Sequence, residues 1–125
     1  IKLIAVVLLL HFTLHAQPLS MESIGQNIQS SLPKILKGKN RQIVEDIYAN
    51  TNYTALWAGK ANEHKISQLI HALNTPLFNY KNKSFDQKAI KRLFYMLDNN
   101  DISEQKKSAV YARLDLILTS SMVRL

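Results

Sequence analysis

The chain has 125 residues, of which 46% are apolar, with 16 Lys and Arg against 9 Asp and Glu and no cysteine. This length is typical of one domain. The absence of cysteine excludes a disulfide scaffold, a Cys-ligated metal centre and a thiol nucleophile. The net charge of +7 favours anionic partners without indicating a fold.

Residues 1–16 have the pattern of a secretory signal peptide. Lys2 is followed by an unbroken apolar run over residues 3–10, which is too short to span a bilayer, and Ala16 precedes a polar stretch. We expect cleavage after Ala16, with the first residues of the signal missing; the alternative is an uncleaved membrane anchor. An exported protein without cysteine is more typical of a bacterial periplasm than of a small animal secretory module. We expect membrane contact only through residues 1–16. The scattered basic residues do not predict nucleic-acid binding.

From residue 17 onward, apolar residues recur at helical spacing. No stretch alternates polar and apolar residues long enough to indicate a sheet, so we predict an all-α bundle of four to five amphipathic helices. We expect residues 17–39 to form an N-terminal helical segment and linker, and residues 40–125 a helical domain. Each predicted helix has an apolar stripe, a set of apolar residues that share one helix face. The stripes are Ile24, Ile28 and Leu32; Ile43, Val44, Ile47 and Tyr48; Ile66, Leu69, Ile70 and Leu73; Ile90, Leu93, Phe94 and Leu97; and Val110, Leu114, Ile117 and Leu118.

Several polar residues stand where helix ends are expected. Asn40 is a candidate N-cap, and the pairs Ser84 with Gln87 and Asp101 with Glu104 have the spacing of capping boxes. The last stripe reaches Leu125 without a C-terminal stop signal, so we expect this helix to be truncated.

No residue pattern predicts a catalytic, metal or cofactor site. His64 and His71 lie seven residues apart without a third ligand at matching spacing. Residues 98–109 start like a calcium loop but carry Ser103 where such a loop requires glycine and Ala109 where it requires glutamate. Neither a Gly-x-Ser-x-Gly elbow nor a phosphate-binding loop is present.

An aromatic group is the strongest candidate for ligand or partner contact. Tyr48, Tyr53 and Trp57 fall within ten residues, and Tyr80 follows the next predicted helix. Aromatic faces can stack on sugars or anchor an interface. The alternative, which composition favours, is that these rings fill the core of a small domain.

Asp115 stands in a strongly apolar stretch, four residues before Thr119. Because i and i+4 share a helix face, we expect both on the polar side of the last helix. The alternative buries Asp115 as a partner for an arginine or for loop amides.

Two segments carry a resemblance to a known family. Residues 53–57 (Tyr-Thr-Ala-Leu-Trp) resemble the short aromatic element in the N-terminal helical scaffold domain of large bacterial L,D-transpeptidases. Residues 112–119 (Ala-Arg-Leu-Asp-Leu-Ile-Leu-Thr) are similar to the late helix of that domain, and residues 69–80 resemble its intervening helix and turn, with Thr75-Pro76 where the family often has glycine. The resemblance marks Leu56, Leu114, Asp115 and Thr119 as structural residues.

The resemblance implies that this chain belongs to an exported enzyme that cross-links peptidoglycan. Such enzymes use a cysteine in a Ser-x-Gly-Cys-x-Arg motif, in a mostly β domain after the scaffold, and that motif is not in this sequence. We therefore expect a non-catalytic scaffold segment whose partner is the catalytic domain of its own parent, with peptidoglycan as a further candidate contact. The alternative is a stand-alone periplasmic binding or adaptor protein that uses the Tyr/Trp cluster.

Overall fold

A computed structural model describes residues 19–99 and 101–125 of the chain. Within these residues the chain is all-α, without a β-strand, which confirms the predicted fold class. The predicted signal segment, residues 1–16, lies outside the described residues. The five helices are α1 (Met21–Ile35), α2 (Asn40–Asn50), α3 (Glu63–Leu73), α4 (Gln87–Leu97) and α5 (Glu104–Arg124), and a short 3₁₀ turn (Lys60–Asn62) precedes α3.

Helix α5 is the centre of the bundle. It contacts α1, α2, α3 and α4, and every residue from 114 to 119 is buried. A helix that is buried all round belongs in a core rather than on a surface. The sequence had predicted a one-sided apolar stripe for α5, and the difference arises because two pairs of helices cover it from opposite sides.

Two apolar clusters flank α5. The first joins α1 and α2 to α5, and the second joins α3 and α4 to α5; Leu56 packs against both. The first cluster is built on Ile24, Ile28, Leu32, Leu36, Val44, Tyr48, Ala55, Ala58, Ala112 and Leu116. The second is built on Trp57, Leu69, Leu73, Phe85, Ile90, Leu93, Val110, Leu114, Ile117 and Leu118.

Helix α1 shares its core with the rest of the domain. Helices α1 and α2, on the two sides of the expected boundary near residue 40, pack on the same part of α5. Gly25 lets α1 approach the loop after α2: a Cβ added there would lie 2.7 Å from the carbonyl oxygen of Tyr53. The side chains of Ser23 and Ser108 also meet across the α1–α5 contact, with 2.8 Å between their Oγ atoms.

The helix ends differ from the predicted caps. Asn40 is the first residue of α2 rather than its cap. Ser103, not Asp101, caps α5, with its Oγ accepting from the amide of Lys106 at 3.2 Å. The predicted box at α4 is replaced by a turn in which the carbonyl of Ser84 accepts from the amide of Gln87 at 3.1 Å.

Among residues 19–99 and 101–125, none of the helices combines the length and the apolar character that crossing a bilayer requires.

Candidate functional site

The main polar feature of the interior is the side chain of Asp115, which is only 1% exposed. It projects from the middle of α5 towards the loop between α2 and the 3₁₀ turn. Its Oδ1 accepts a hydrogen bond from the amide of Leu56 at 3.0 Å. Its Oδ2 accepts from the amides of Trp57, at 2.9 Å, and Ala58, at 3.1 Å. Three consecutive backbone amides of residues 56–58 therefore converge on one carboxylate.

A second set of hydrogen bonds ties the same carboxylate to α2. The hydroxyl of Tyr48 donates to Asp115 Oδ1. Thr119 Oγ1 lies 2.7 Å from the Tyr48 oxygen and accepts from Trp57 Nε1 at 2.8 Å. One consistent order of protons runs from the Trp57 indole to Thr119, from Thr119 to Tyr48, and from Tyr48 to Asp115. We call Tyr48, Trp57, Asp115 and Thr119, with the amides of residues 56–58, the carboxylate network.

Every polar atom of the carboxylate network has a partner. A carboxylate offers about four acceptor positions, and Asp115 uses them for three amides and one phenol. Across the described residues, each buried side-chain nitrogen or oxygen has a hydrogen-bond partner. A buried charge is tolerable when several donors replace its lost water. The network therefore stabilises the fold and leaves Asp115 no free oxygen to act as a base or a metal ligand.

The burial of the network alters the acidity of Tyr48. Removal from water is the largest cause, and the adjacent charge of Asp115 and its hydrogen bond act in the same direction, whereas the hydrogen bond with Thr119 opposes them. Together they raise the pKa of the Tyr48 phenol far above its usual value near 10. Tyr48 is thus a proton donor throughout the physiological range.

The structure corrects the expected place of Asp115. We had placed Asp115 and Thr119 on the polar side of the last helix, but both are buried. The alternative, burial against loop amides, describes the geometry, whereas the arginine partner considered with it is replaced by Tyr48. The expectation that residues i and i+4 share a helix face is confirmed, because Thr119 and Asp115 belong to one network. Leu114 is buried beside them in the second apolar cluster.

The four candidate aromatic residues separate into two groups. Tyr48 and Trp57 are buried, so neither ring is available to stack on a sugar. Tyr53 is half-buried and packs against the first cluster, with a left-handed backbone at φ 58°. Tyr80 is exposed in the loop between α3 and α4. The structure therefore brings Tyr48 and Trp57 together and leaves Tyr80 apart from them.

A groove lies beside the carboxylate network. It has a volume of about 340 Å³, and Trp57, Ile66, Phe94 and Leu114 form apolar parts of its lining. The charged side chains of Lys60, Glu63 and Asp98 also line it. This volume is within the range of small ligand sites. The described residues include no buried unpartnered polar side-chain atom that would point to a particular ligand in the groove.

Sequence reasoning missed the amides of residues 56–58 and the hydroxyl of Tyr48. One available signal was the stretch of residues 114–119, which is apolar on every side of the helix except at Asp115 and Thr119. A helix apolar all round is buried, and this would have placed Asp115 inside. The two candidate histidines of the four in the chain, His64 and His71, are both exposed on α3. Within the described residues, no group of three or more His, Asp or Glu side chains is arranged to hold a metal ion.

Comparison with known proteins gives no relative: no family model, no curated protein and no solved structure matches this chain.

Proposed function

We propose that this chain is the non-catalytic helical scaffold segment of an exported L,D-transpeptidase. In this proposal it supports catalytic and peptidoglycan-binding parts of the same protein in the periplasm. The observation that carries it is the contact between the two segments on which the resemblance rests. Asp115, from residues 112–119, accepts hydrogen bonds from the amides of Leu56 and Trp57, in residues 53–57, across 59 and 58 positions of sequence.

This contact gives a physical reason for the two motifs to occur together. A loop amide that is buried without an acceptor costs about 1–3 kcal/mol, so the Leu-Trp loop needs a carboxylate opposite it. A buried carboxylate in turn needs hydrogen-bond donors that replace its lost water. Each motif therefore stabilises the other, as expected of a structural unit inside a supporting domain.

The proposed role is structural because the chemistry of this enzyme class needs a thiolate. A cysteine thiolate attacks the amide carbonyl in such enzymes, and the chain contains no cysteine. The fully bonded carboxylate of Asp115 does not replace it, since all its acceptor positions are occupied. What the domain offers a neighbour is a rigid surface, including the groove wall formed by Trp57 and Ala58.

The experiment that tests the proposal is to read the gene beyond the codon for Leu125. We expect the frame to continue into a domain with a Ser-x-Gly-Cys-x-Arg motif and a histidine shortly before it. A stop codon close to residue 125, or a continuation without a cysteine nucleophile, would contradict the proposal.

A stand-alone adaptor protein is the second candidate function. Two of the residues proposed to contact a partner, Tyr48 and Trp57, are buried. The exposed ring of Tyr80 is the observation that still favours an adaptor role. A pull-down on purified peptidoglycan sacculi tests it with Tyr80→Ala, against Tyr95→Ala as a matched control, because both rings are 75% exposed. The adaptor hypothesis expects a loss of binding for Tyr80→Ala only; equal binding by both variants would contradict it.

A further inference from the structure

The loop between α3 and α4 presents three large apolar side chains to solvent. Leu77 is 81% exposed, Phe78 52% and Tyr80 75%. Single exposed apolar residues are common, but three within four positions concentrate exposed apolar area on one short loop, and concentrated apolar area is typical of interaction sites. We call residues 77–83, which add Lys81 and Lys83, the apolar–basic loop.

The conformation of this loop is built by hydrogen bonds from its one buried polar residue. The side-chain amide of Asn79 donates to the carbonyls of Leu73, at 2.7 Å, and Lys83, at 2.8 Å. Its oxygen accepts from the amide of Lys83 at 3.0 Å. The carbonyl of Thr75 accepts from the amides of Phe78 and Asn79 at 3.0 and 2.9 Å. Asn79 thus anchors the loop on α3 while its neighbours in sequence stay in water.

The charges around the loop are nearly all positive. Residues 64–97 contain six Lys and Arg and one acidic residue, Asp86. Asp86 lies 4.0 Å from Arg124, which offsets its charge. Lys81 lies above the ring of Tyr80, with its Nζ 5.7 Å from the ring centroid. Lys81 and Lys83 lie around one surface depression with Phe78 and Tyr80, and this local positive charge favours an anionic partner over a basic one.

We propose that the apolar–basic loop docks on the surface of an anionic lipid bilayer. Leu77 and Phe78 enter the boundary between headgroups and acyl chains, where apolar side chains leave water. Tyr80 lies at the headgroup level, which suits a ring with a polar end. Lys81 and Lys83 attract the lipid phosphates and keep their ammonium groups in water. This contact extends the expectation that residues 1–16 alone touch a membrane, and it does not depend on the proposed scaffold role.

The absence of cysteine from the chain allows a test at a single position. Leu77→Cys in the full chain is labelled with an environment-sensitive fluorophore and mixed with equimolar phosphatidylglycerol and phosphatidylethanolamine vesicles. Tyr95→Cys, on α4, is the matched control because its side chain is 75% exposed, close to the 81% of Leu77. Residues 3–10 are apolar and can hold the chain on vesicles by themselves, but they do not change the surroundings of a label at position 77.

We expect a blue shift and an increase in emission for the label at position 77, no change at position 95, and no change at either with phosphatidylcholine vesicles. In a vesicle titration followed by the emission of the label at position 77, Lys81→Gln with Lys83→Gln weakens the apparent affinity by about fivefold per lysine removed. The pair Lys34→Gln with Lys106→Gln lowers the net charge equally at exposed positions elsewhere and leaves the affinity nearly unchanged.

Three outcomes would overturn the proposal. The first is a label at position 77 that stays in water when the protein is vesicle-bound. The second is equal weakening by both lysine pairs, which would make the attraction a property of net charge alone. The third is a response to purified peptidoglycan sacculi or to an acidic protein with none to vesicles, which would assign the loop to that partner instead.

Discussion

The chain has two aromatic regions, one around Tyr48 and Trp57 and one around Phe78 and Tyr80, and only the first is buried. The rings of Tyr48 and Trp57 are buried, and the polar atom of each has a hydrogen-bond partner from α5. Phe78 and Tyr80 are exposed to solvent on a loop that the side-chain hydrogen bond from Asn79 to the carbonyl of Leu73 anchors. The difference lies in the partner, since a buried Tyr or Trp needs an acceptor for its proton. Asp115 and Thr119 supply acceptors to the first region only.

The largest effect that would test this comparison is the removal of the carboxylate. Asp115→Ala leaves three loop amides without their acceptor. The Tyr48 hydroxyl loses the carboxylate but keeps the main-chain carbonyl of residue 115 at 2.9 Å. We expect a loss of about 3–5 kcal/mol in the free energy of unfolding. Denaturant unfolding measures this loss. Asp46→Ala is the control, because Asp46 is exposed and bonds only to Gln42 of its own helix; it is expected to change stability by less than about 0.5 kcal/mol. Equal effects of the two variants would contradict the role of the network.

A second test concerns how closely the buried region is packed. Helix propensity alone predicts that Gly25→Ala stabilises α1 by about 1 kcal/mol. Because the new Cβ would lie 2.7 Å from the Tyr53 carbonyl oxygen, we expect destabilisation by about 1–3 kcal/mol instead. The sign of the change in a thermal or denaturant melt decides between these. Gln29→Ala, at an exposed position of the same helix, is expected to be nearly neutral.

The third test uses pH. Tyr48→Phe removes one donor to Asp115 and should cost about 1–2 kcal/mol at neutral pH. Because the pKa of Tyr48 is raised in the folded state, the unfolded chain loses this proton above about pH 10 while the native protein keeps it. The stabilisation from Tyr48 is therefore complete below pH 10 and decreases above it, by up to about 1.4 kcal/mol per pH unit.

Unfolding free energies measured from pH 8 to pH 11 isolate this contribution as the difference between the wild type and Tyr48→Phe. Other groups titrate in both proteins and cancel in the difference. A difference that stays constant above pH 10 would contradict a buried, proton-donating Tyr48.

The smallest effect is expected in the exposed region. Tyr80→Ala removes a ring that is 75% exposed, and we expect the free energy of unfolding to change by less than about 0.5 kcal/mol. Trp57→Ala, in the buried region, should cost about 3–5 kcal/mol. The same denaturant titration measures both. A Tyr80→Ala variant as unstable as Trp57→Ala would show that the apolar–basic loop is part of the core.

Much of the fold follows from apolar spacing in the sequence. The stripe ending at Leu73 predicts α3 with its stop before Pro76, and the stripe from Ile90 to Leu97 predicts α4, because each of these helices buries a single face. The burial of α5 could not be predicted in the same way. Other helices cover α5 from two sides, so its sequence pattern lacks a single polar face.

The carboxylate network could be predicted only in part. Burial of Asp115 was among the alternatives because its neighbours are apolar, and the i to i+4 rule correctly paired it with Thr119. The donors at Leu56, Trp57 and Ala58 are backbone amides, which every residue but proline carries, so side-chain identity contains no sign of them. Their convergence arises from the path of the loop across α5, which is tertiary structure.

The most direct test of the account is hydrogen exchange at the amides of Leu56, Trp57 and Ala58. None of these residues lies in a helix, so an ordinary loop would exchange them rapidly. Because each donates to the buried carboxylate of Asp115, we predict that they exchange as slowly as the amides in the centre of α5, through global unfolding. Exchange at the rate of an exposed loop would contradict the claim that the carboxylate network holds the two motif-bearing segments together.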